Sequence, residues 1–515
     1  MPIAKSDHLL ELIQSLTKAE KRHFKLFSSR LQRQEGTQFI KLFDILEKLK
    51  EIDDDSIRKK LGGIAGVKYA NLKRNLYSNV LTSLRLIHSS KKVDLEIREQ
   101  IDYARILYGK GLYIQALRLL ERIKTVAQNH DQQILLLEIT EFEKLIESRH
   151  ISRDHKDRSK QLSEESTRLS DNVMTSIKLS NLKLLMYGKY VQMGHVMNVK
   201  DEKLIQQLYK SNLPKINETQ LTILDLKTYH QCLVWYYFIL LDFNQCREHA
   251  LRWKEILESK PIMVEADPDS YMHAMHYVLT CSYNLKQYSL FVKTLTELEK
   301  FRQVNYARFN DNSKILSFIY VHTSRLHKIF MEGKFKEGIE DIPKTLSRIE
   351  KYEDKLDEHR ILVFYFKIAW MYIGAGDPRS ASNYLDRIID LKSIPLREDL
   401  QGYARLLNLI AHFEMGNKGL LSYLVRSSNY FLKKMHDLNK VQKATLHFFN
   451  RLINADSFKE KELFTSFLPE LQELAKDHYE QQAFIYLDIL HWVESKVNGV
   501  PISQVIAESF QESKK

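Results

Sequence analysis

The stretch RKKLGGIAGVKYANLKRN, residues 58–75, contains three glycines and six basic residues but no acidic one. A glycine-rich loop can cradle phosphates when its last glycine is followed directly by lysine and then by serine or threonine. Here Val67 separates the last glycine from Lys68, and Tyr69 occupies the hydroxyl position. We therefore predict no nucleotide site. Instead, Gly62 or Gly63 should end one helix, and a connecting loop should lead to the next.

Positive charge is concentrated around this loop. The chain has a net charge of +12, and residues 1–92 contribute 19 Lys and Arg against 10 Asp and Glu. Residues 56–93 contain nine basic side chains and no acidic one: Arg58, Lys59, Lys60, Lys68, Lys73, Arg74, Arg85, Lys91 and Lys92. A solvated helix face normally mixes both signs. These residues could contact nucleic acid, an acidic protein surface or an anionic membrane, or pair internally with Asp53, Asp54 and Asp55.

The helix that follows the loop should have one apolar face and one basic face. At about 100° per residue, its apolar residues fall on one side: Tyr69, Leu72, Leu76, Val80 and Ile87. Arg74, Ser78 and Arg85 lie almost opposite. A short helix, a loop and a longer basic helix resemble a helix-turn-helix in outline. However, the loop is longer than the usual tight turn and no hairpin wing follows, so nucleic-acid binding through residues 56–93 remains an alternative function.

Histidine pairs are the residues that could ligate a metal. His273 and His276 stand three apart in YMHAMHY, and Glu147 precedes His150 by three in ESRH. Neither pair has the further ligands that zinc or di-iron sites need. No nucleophile elbow and no dinucleotide fingerprint occurs either. We therefore expect no metal, no cofactor and no enzyme activity.

Composition favours a helical protein. Among 515 residues there are only 16 glycines and 9 prolines, too few for the turns of a strand-rich chain. The longest apolar run, residues 232–241, is too short to span a bilayer, and the N-terminal segment lacks the features of a signal peptide. Three cysteines without paired spacing indicate reduced core residues. We expect a cytoplasmic protein.

One local pattern recurs from about residue 95: an aromatic-rich helix, a tight turn and a second amphipathic helix. Its first instance, residues 103–123, places Gly111 in the turn, Tyr113 two residues later and Ala116 five later. The glycine lets the helix break, the aromatic ring fills the gap and the small residue lets the two backbones approach. Equivalent turn positions occur at Leu241, Lys286, Gly333, Gly376 and Gly416, which are separated by 45, 47, 43 and 40 residues. Gly194 is a weaker member of this series.

Phe335 and Ala381 occupy the aromatic and small positions of two later turns. This frame resembles the tetratricopeptide repeat (TPR), whose G-x-Y-x-x-A turn is matched best by Gly111, Tyr113 and Ala116. The period of about 40–47 is longer than that family's, and its tryptophan positions are irregular here. The resemblance implies an all-α protein, an α-solenoid of stacked antiparallel helix pairs that binds a protein or peptide.

The resulting domain prediction has five parts: a basic all-helical module at 1–92, a first helical repeat at 93–150, a polar connection at 151–172, TPR-like repeats at 173–450, and C-terminal helices with a cap at 451–515. Aromatic stripes at 234–238 and 363–372 should form the interhelix core, unless exposed rings beside Arg or Lys indicate a binding groove. The favoured function is a non-enzymatic scaffold or adaptor. The sequence leaves the partner and the oligomeric state open.

Overall fold

A computed structural model describes residues 8–30, 33–49, 53–89, 92–149, 157–352, 356, 358–390, 398–435 and 438–512. Within these ranges the protein is all-α and contains no strand, which confirms the prediction of an all-α protein. The chain divides into two compact units, Met1–Met174 and Thr175–Lys515, and the division falls within a single long helix. No helix of the described ranges is long and apolar enough to cross a membrane.

Unit 1 consists of eight helices and the beginning of a ninth. Their bounds are α1 (His8–Ser15), α2 (Lys18–Ser29), α3 (Arg33–Glu47), α4 (Asp54–Lys60), α5 (Gly66–His88), α6 (Val93–Gly109), α7 (Tyr113–Asn129), α8 (Gln133–Arg149) and α9 (Arg158–Met193). They form two separate hydrophobic cores. One joins α1–α5 around Phe24 and Leu76, and the other joins α6–α8 to the start of α9 around Leu120 and Ile139.

The predicted helix ends in the first core are confirmed. Gly62 and Gly63 follow α4 with φ of 83° and 75°, in the left-handed region that favours glycine. In α5, the apolar face is buried at Tyr69, Leu72, Leu76 and Val80, whereas Ile87 is only half-buried. The glycine-rich stretch is therefore a helix–loop–helix connection.

Unit 2 continues α9 and adds the remaining helices. Their bounds are α10 (Val199–Asn212), α11 (Ile223–Ile239), α12 (Phe243–Glu258), α13 (Pro261–Ala266), α14 (Pro268–Asn284), α15 (Tyr288–Asn305), α16 (Asp311–Glu332), α17 (Phe335–Glu340), α18 (Ile342–Lys351), α19 (Glu358–Ala375), α20 (Pro378–Ile389), α21 (Glu398–Glu414), α22 (Lys418–Met435), α23 (Lys440–Ile453), α24 (Glu460–Leu474), α25 (Gln481–Tyr486), α26 (Ile489–Asn498) and α27 (Ile502–Glu512). Many of these helices pack as sequence-adjacent pairs, an arrangement compatible with a helical repeat.

The same turn joins the two helices of each pair that the sequence pattern identified. Its central residues all have left-handed backbone: Gly111, Leu241, Lys286, Gly333, Gly376 and Gly416. In each turn the next residue donates its N–H to the carbonyl five residues earlier, at 2.8–3.2 Å, as in a Schellman motif. Two of these positions are not glycine, so the spacing located them where residue type alone would not. Asp131, between α7 and α8, has the same conformation and was not predicted.

The fifth residue after each turn centre packs between the two helices. It is buried in every pair: Ala116, Cys246, Phe291, Gly338, Ala381 and Leu421. Glycine also permits close contact between neighbouring pairs: a Cβ on Gly374 of α19 would lie 2.3 Å from the Phe335 ring of α17. The turn fixes the angle of each pair, and this position sets its spacing.

The C-terminal helices of unit 2 pack against much earlier ones. A Cβ on Gly333 would lie 2.6 Å from the Ser503 carbonyl oxygen, so α27 passes directly over the turn between α16 and α17. The Tyr479 hydroxyl donates to the Glu202 carboxylate of α10 at 2.6 Å, and the Trp492 indole donates to Glu414 of α21 at 2.7 Å. The chain end therefore contacts both the first and the later helix pairs of this unit.

Candidate ligand-binding cavity

Unit 2 contains a cavity of about 1380 Å³. Its walls come from the end of α9, the first helices of successive pairs (α11, α14, α16 and α19) and the C-terminal helices α25–α27. These first helices carry apolar residues around most of their circumference, because one side packs on the partner helix and the other faces the cavity. The volume exceeds the roughly 300–1,000 Å³ of ordinary small-molecule pockets, so the cavity can accommodate an extended ligand.

Aromatic rings form one continuous wall of the cavity. The Trp235 ring centroid lies 5.2 Å from that of Tyr187, 5.1 Å from that of Tyr190 and 5.3 Å from that of Tyr277. Tyr187 remains 47% exposed, so a ligand can reach this wall. Edge-to-face and tilted rings of this kind offer polarisable faces to aromatic or apolar groups.

Both aromatic stripes, residues 234–238 and 363–372, contribute to the interhelix core and also line the cavity. Trp235 and Phe238 belong to a hydrophobic core cluster and also line the cavity. The same is true of Phe364 and Trp370 in the second stripe. The stripes are thus core on one side and cavity wall on the other.

Basic side chains project into this largely aromatic space. Lys183, Lys286, Arg360 and Lys367 line the cavity, whereas the carboxylates lining it within the described ranges are Asp242 and Asp488. Asp242 caps α12 by accepting the Gln245 N–H at 3.0 Å, and Asp488 lies 2.7 Å from His491 Nδ1. The four cations outnumber these two carboxylates, so the charged groups that line the cavity within the described ranges are mainly positive.

Lys367 is the most deeply placed of these cations. Its Nζ lies 2.6 Å from His327 Nε2, and no other hydrogen bond or ion pair of Lys367 forms within the described ranges. Burial lowers the pKa of Lys367 to about 8. Burial, together with the neighbouring ammonium, holds the pKa of His327 well below its usual value, so the imidazole is neutral and its Nε2 accepts a hydrogen bond from the lysine ammonium. The Tyr283 ring stacks on His327 with centroids 4.1 Å apart.

The pair His273 and His276 lies on the same wall, with both rings stacked against Tyr320. Burial and the charge of Arg360 lower the pKa of His273 to about 4. Burial, His273 and Arg360 lower that of His276 to about 3. The Nδ1 atom of His276 is buried and has no hydrogen-bond partner in the described part of the chain. Two neutral imidazoles beside cations are poorly suited to holding a metal cation.

Among the described residues, no group of three or more His, Cys, Asp or Glu side chains is placed to hold a metal ion. Glu147 lies near the end of α8, and His150 falls outside the described residues. The three cysteines are buried free thiols, as predicted, and burial raises the pKa of Cys232 to about 12.

The predicted polyanion-binding residues lie in unit 1, and three of them contact carboxylates. Arg58 pairs with Asp55 at 3.2 Å, Lys73 with Asp54 at 3.6 Å and Arg85 with Asp102 at 3.3 Å. Arg74 donates to the Asn71 side chain. The remaining described members of the set are exposed: Lys59, Lys60, Lys68 and Lys92. Lys91 falls outside the described residues.

The sequence interpretation did not identify the cavity cations Lys183, Arg360 and Lys367. A signal was present for one of them, since Lys367 is the single charged residue in the apolar run ILVFYFKIAWMYI, residues 361–373. A charge at the centre of such a run must be buried or reach a cavity. Lys183 and Arg360 stand among other polar residues, and nothing in their local pattern separates them from surface cations.

Comparison of the chain with protein-family models, with curated proteins and with solved structures finds no significant match, so its assignment rests on its own sequence and geometry.

Proposed function

We propose that the protein is a non-enzymatic scaffold or adaptor with TPR-like helical repeats, and that unit 2 binds a peptide or a segment of a partner protein in its cavity. The observation that carries the proposal is the cavity itself. It is large, it follows the inner helices of successive pairs, and its lining combines aromatic rings with polar groups. Such sites hold ligands through apolar contact and orient them through a few polar groups. The buried free thiols favour a reducing compartment, and we place the protein in the cytoplasm.

Polar side chains on the wall suit a peptide backbone. Thr280, Asn284, Thr323 and Gln481 line the cavity and carry hydroxyl or amide groups that can donate to or accept from amides. The neighbouring rings of Tyr187 and Trp235 would take apolar or aromatic side chains. Affinity would come from the aromatic anchors, as is usual in protein interfaces.

A selection from a random octapeptide library on the full-length protein tests this proposal. Peptides that bind should lose about tenfold or more in affinity when Tyr187→Ala removes an exposed ring from the wall. The matched control is Tyr430→Ala, because Tyr430 is 72% exposed on α22 and does not line the cavity. Selected peptides that bind both variants equally, or a selection that enriches no peptide, would refute cavity binding.

A second candidate function is nucleic-acid binding by α4 and α5. The exposed side chains of Lys59, Lys60 and Lys68 around the helix–loop–helix support it. The ion pairs of Arg58, Lys73 and Arg85 with acids weaken it, because paired cations have less charge to offer phosphates. In this alternative, unit 2 would act as the sensor or dimerisation unit.

A further inference from the structure

We infer that the cavity of unit 2 recognises an oxyanion, a carboxylate or phosphate attached to an aromatic or apolar body, with the anion beside Lys367, Arg360 and Lys183 and the body against the Tyr187–Trp235–Tyr277 wall. The inference rests on the proposed use of this cavity as a binding site and specifies the chemistry of its ligand.

The first support is the position of Lys367. An ammonium taken out of water is costly unless a counter-ion accompanies it. His327 provides one lone pair at 2.6 Å, but the neutral ring carries no charge. The remaining N–H groups of Lys367 have no acceptor in the described part of the chain. A bound oxyanion would provide both acceptors and charge.

The second support is the convergence of further positive charge on the same wall. Arg360 and Lys183 both act on His273, and Arg360 and Lys367 both act on His276, in each case opposing protonation of the ring. The Lys183 ammonium forms no hydrogen bond or ion pair within the described ranges, and burial lowers its pKa. Lys183, Arg360 and Lys367 therefore line the same cavity as the histidine pair, where the basic side chains outnumber Asp242 and Asp488, the lining acids of the described ranges.

The third support is the orphaned Nδ1 atom of His276. It is buried on the cavity wall and has no hydrogen-bond partner among the residues that the structure describes. Buried polar groups nearly always form hydrogen bonds, so an exception that faces a cavity calls for an explanation, and a bound ligand provides one. In the tautomer with the proton on Nδ1, this atom can donate to an oxyanion, and the neighbouring rings of Tyr277 and Tyr320 would flank the ligand's body.

The inference can be tested with two dyes that differ by one anionic group. Anilinonaphthalene sulfonate and N-phenylnaphthylamine share their ring system, and only the first carries a sulfonate. Fluorescence titration of the full-length protein should give at least about a tenfold lower Kd for the sulfonate. Lys367→Met and Arg360→Met should each remove most of this preference while leaving the Kd of the neutral dye within about twofold.

Lys328→Met is the matched control, because Lys328 lies on α16, is 40% exposed, pairs with Glu332 and does not line the cavity. Retained binding of the neutral dye shows that a variant is folded. If Lys367→Met loses that binding, Arg360→Met and Lys183→Met carry the test. A sulfonate that binds no tighter than the neutral dye, or a preference that survives the cavity variants, overturns the inference.

Competition then identifies the source of the anion. Naphthylacetate is compared with naphthylacetamide, and a library-selected peptide with a free carboxyl terminus is compared with its amide. Displacement by the acid of either pair, but not by its amide, supports the inference and distinguishes a free organic acid from a peptide end. If neither peptide binds while the sulfonate preference holds, peptide binding fails and oxyanion recognition stands. If both dyes bind equally and a peptide binds regardless of its terminus, oxyanion recognition fails and peptide binding stands.

Discussion

The ammonium of Lys367 on α19 lies 2.6 Å from the imidazole of His327 on α16. The contact joins neighbouring helix pairs of unit 2 at the cavity wall, and it brings together a cation and a neutral ring rather than opposite charges. Buried lysines are ordinarily paired with carboxylates. Because the fold gains little from this lysine, we attribute its place to ligand binding.

Replacing this lysine should stabilise the free protein. Lys367→Met keeps the length of the side chain and removes the uncompensated charge, and we expect the free energy of unfolding at neutral pH to rise by about 1–3 kcal/mol. Lys328→Met, an exposed change on α16, should alter it by less than about 0.5 kcal/mol. Chemical denaturation of both variants measures the difference. A marked loss of stability in Lys367→Met would show that the lysine is structural.

The stability difference should depend on pH in a defined direction. The pKa of Lys367 is about 8 in the folded protein and has a reference value of 10.5. Between these values the unfolded chain binds more protons, so the stability of the wild type rises with pH relative to Lys367→Met. Below about pH 8 the difference should be constant. Denaturation series from pH 7 to about 10 would show the variants converging, and parallel curves would contradict the assignment.

A buried ion cluster in unit 1 should be sensitive to the loss of one member. Lys124 Nζ lies 2.7 Å from Glu143 and 2.6 Å from Glu165, and Arg158 lies 3.4 Å from Glu143. Lys124→Met would leave two largely buried carboxylates without their main partner, at a cost of about 3–5 kcal/mol. Arg105→Met, which removes an exposed pair with Glu138, should cost at most about 1 kcal/mol. Equal costs in thermal unfolding would argue against this cluster.

The approach of α27 to the turn at Gly333 should be measurable with a pair of glycine variants. Gly333 and Gly416 have φ of 70° and 73°, so alanine at either position incurs left-handed strain of about 1–2 kcal/mol. Only at Gly333 does the new Cβ also meet backbone, at 2.6 Å from Ser503. Gly333→Ala should therefore be more destabilising and should expose α27 to limited proteolysis. The same cleavage pattern in both variants would mean that α27 tolerates the change.

The first core should weaken in acid through Glu20. Burial raises the pKa of Glu20, but hydrogen bonds from Thr17 and His88 outweigh it and bring the pKa below 4.5. The His88 contact, at 2.7 Å, ties α5 to α2. The stability from these contacts is present above pH 4.5 and is lost as pH falls through the folded pKa. Glu20→Gln should lower the free energy of unfolding by about 1 kcal/mol at neutral pH, and the variant should lose less stability than the wild type as the pH falls. If the variant and the wild type lose the same stability between neutral and acidic pH, Glu20 makes no such contribution.

The nucleic-acid alternative predicts a salt-dependent interaction through the exposed lysines. Charge reversal of Lys59, Lys60 and Lys68 to Glu should abolish a gel shift at low salt, because it removes their contacts with phosphates. Each phosphate contact of the wild type should contribute about 0.9 to the slope of log K against log salt. Three exposed lysines of unit 2 serve as the control set: Lys433, Lys434 and Lys443. Absence of binding by the wild type at low salt, or equal losses in both sets, would eliminate this alternative.

Local features could be read from the sequence because each depends on a few neighbouring residues. Thr17 and Glu20, whose residue types and three-residue spacing are typical of a capping box, form one at the start of α2. The turn positions Leu241 and Lys286 were located by spacing, although residue type disfavours left-handed backbone there. Asp131 adopts the same turn but could not be predicted from the repeated pattern, since it lies outside that pattern, between α7 and α8.

The cavity could not be predicted from local patterns, because its lining residues come together only in the folded protein. Lys183, Lys367 and His491 come from distant segments of the chain, and their convergence depends on helix angles that no local pattern specifies. The contact between Glu202 and Tyr479 spans 277 residues. Local patterns indicated parts of the site, namely the aromatic stripes, the pair His273 and His276, and the charge of Lys367 within an apolar run, but not that these parts meet.

The long-range contact between Glu202 and Tyr479 also has a consequence for synthesis. An array held only by neighbouring pairs can fold progressively as it leaves the ribosome. In unit 2, residues of α25–α27 complete the cavity wall, so the cavity is assembled only after these helices have been synthesised. A nascent chain that still lacks α25–α27 could fold its earlier helix pairs, but its cavity would be missing one wall.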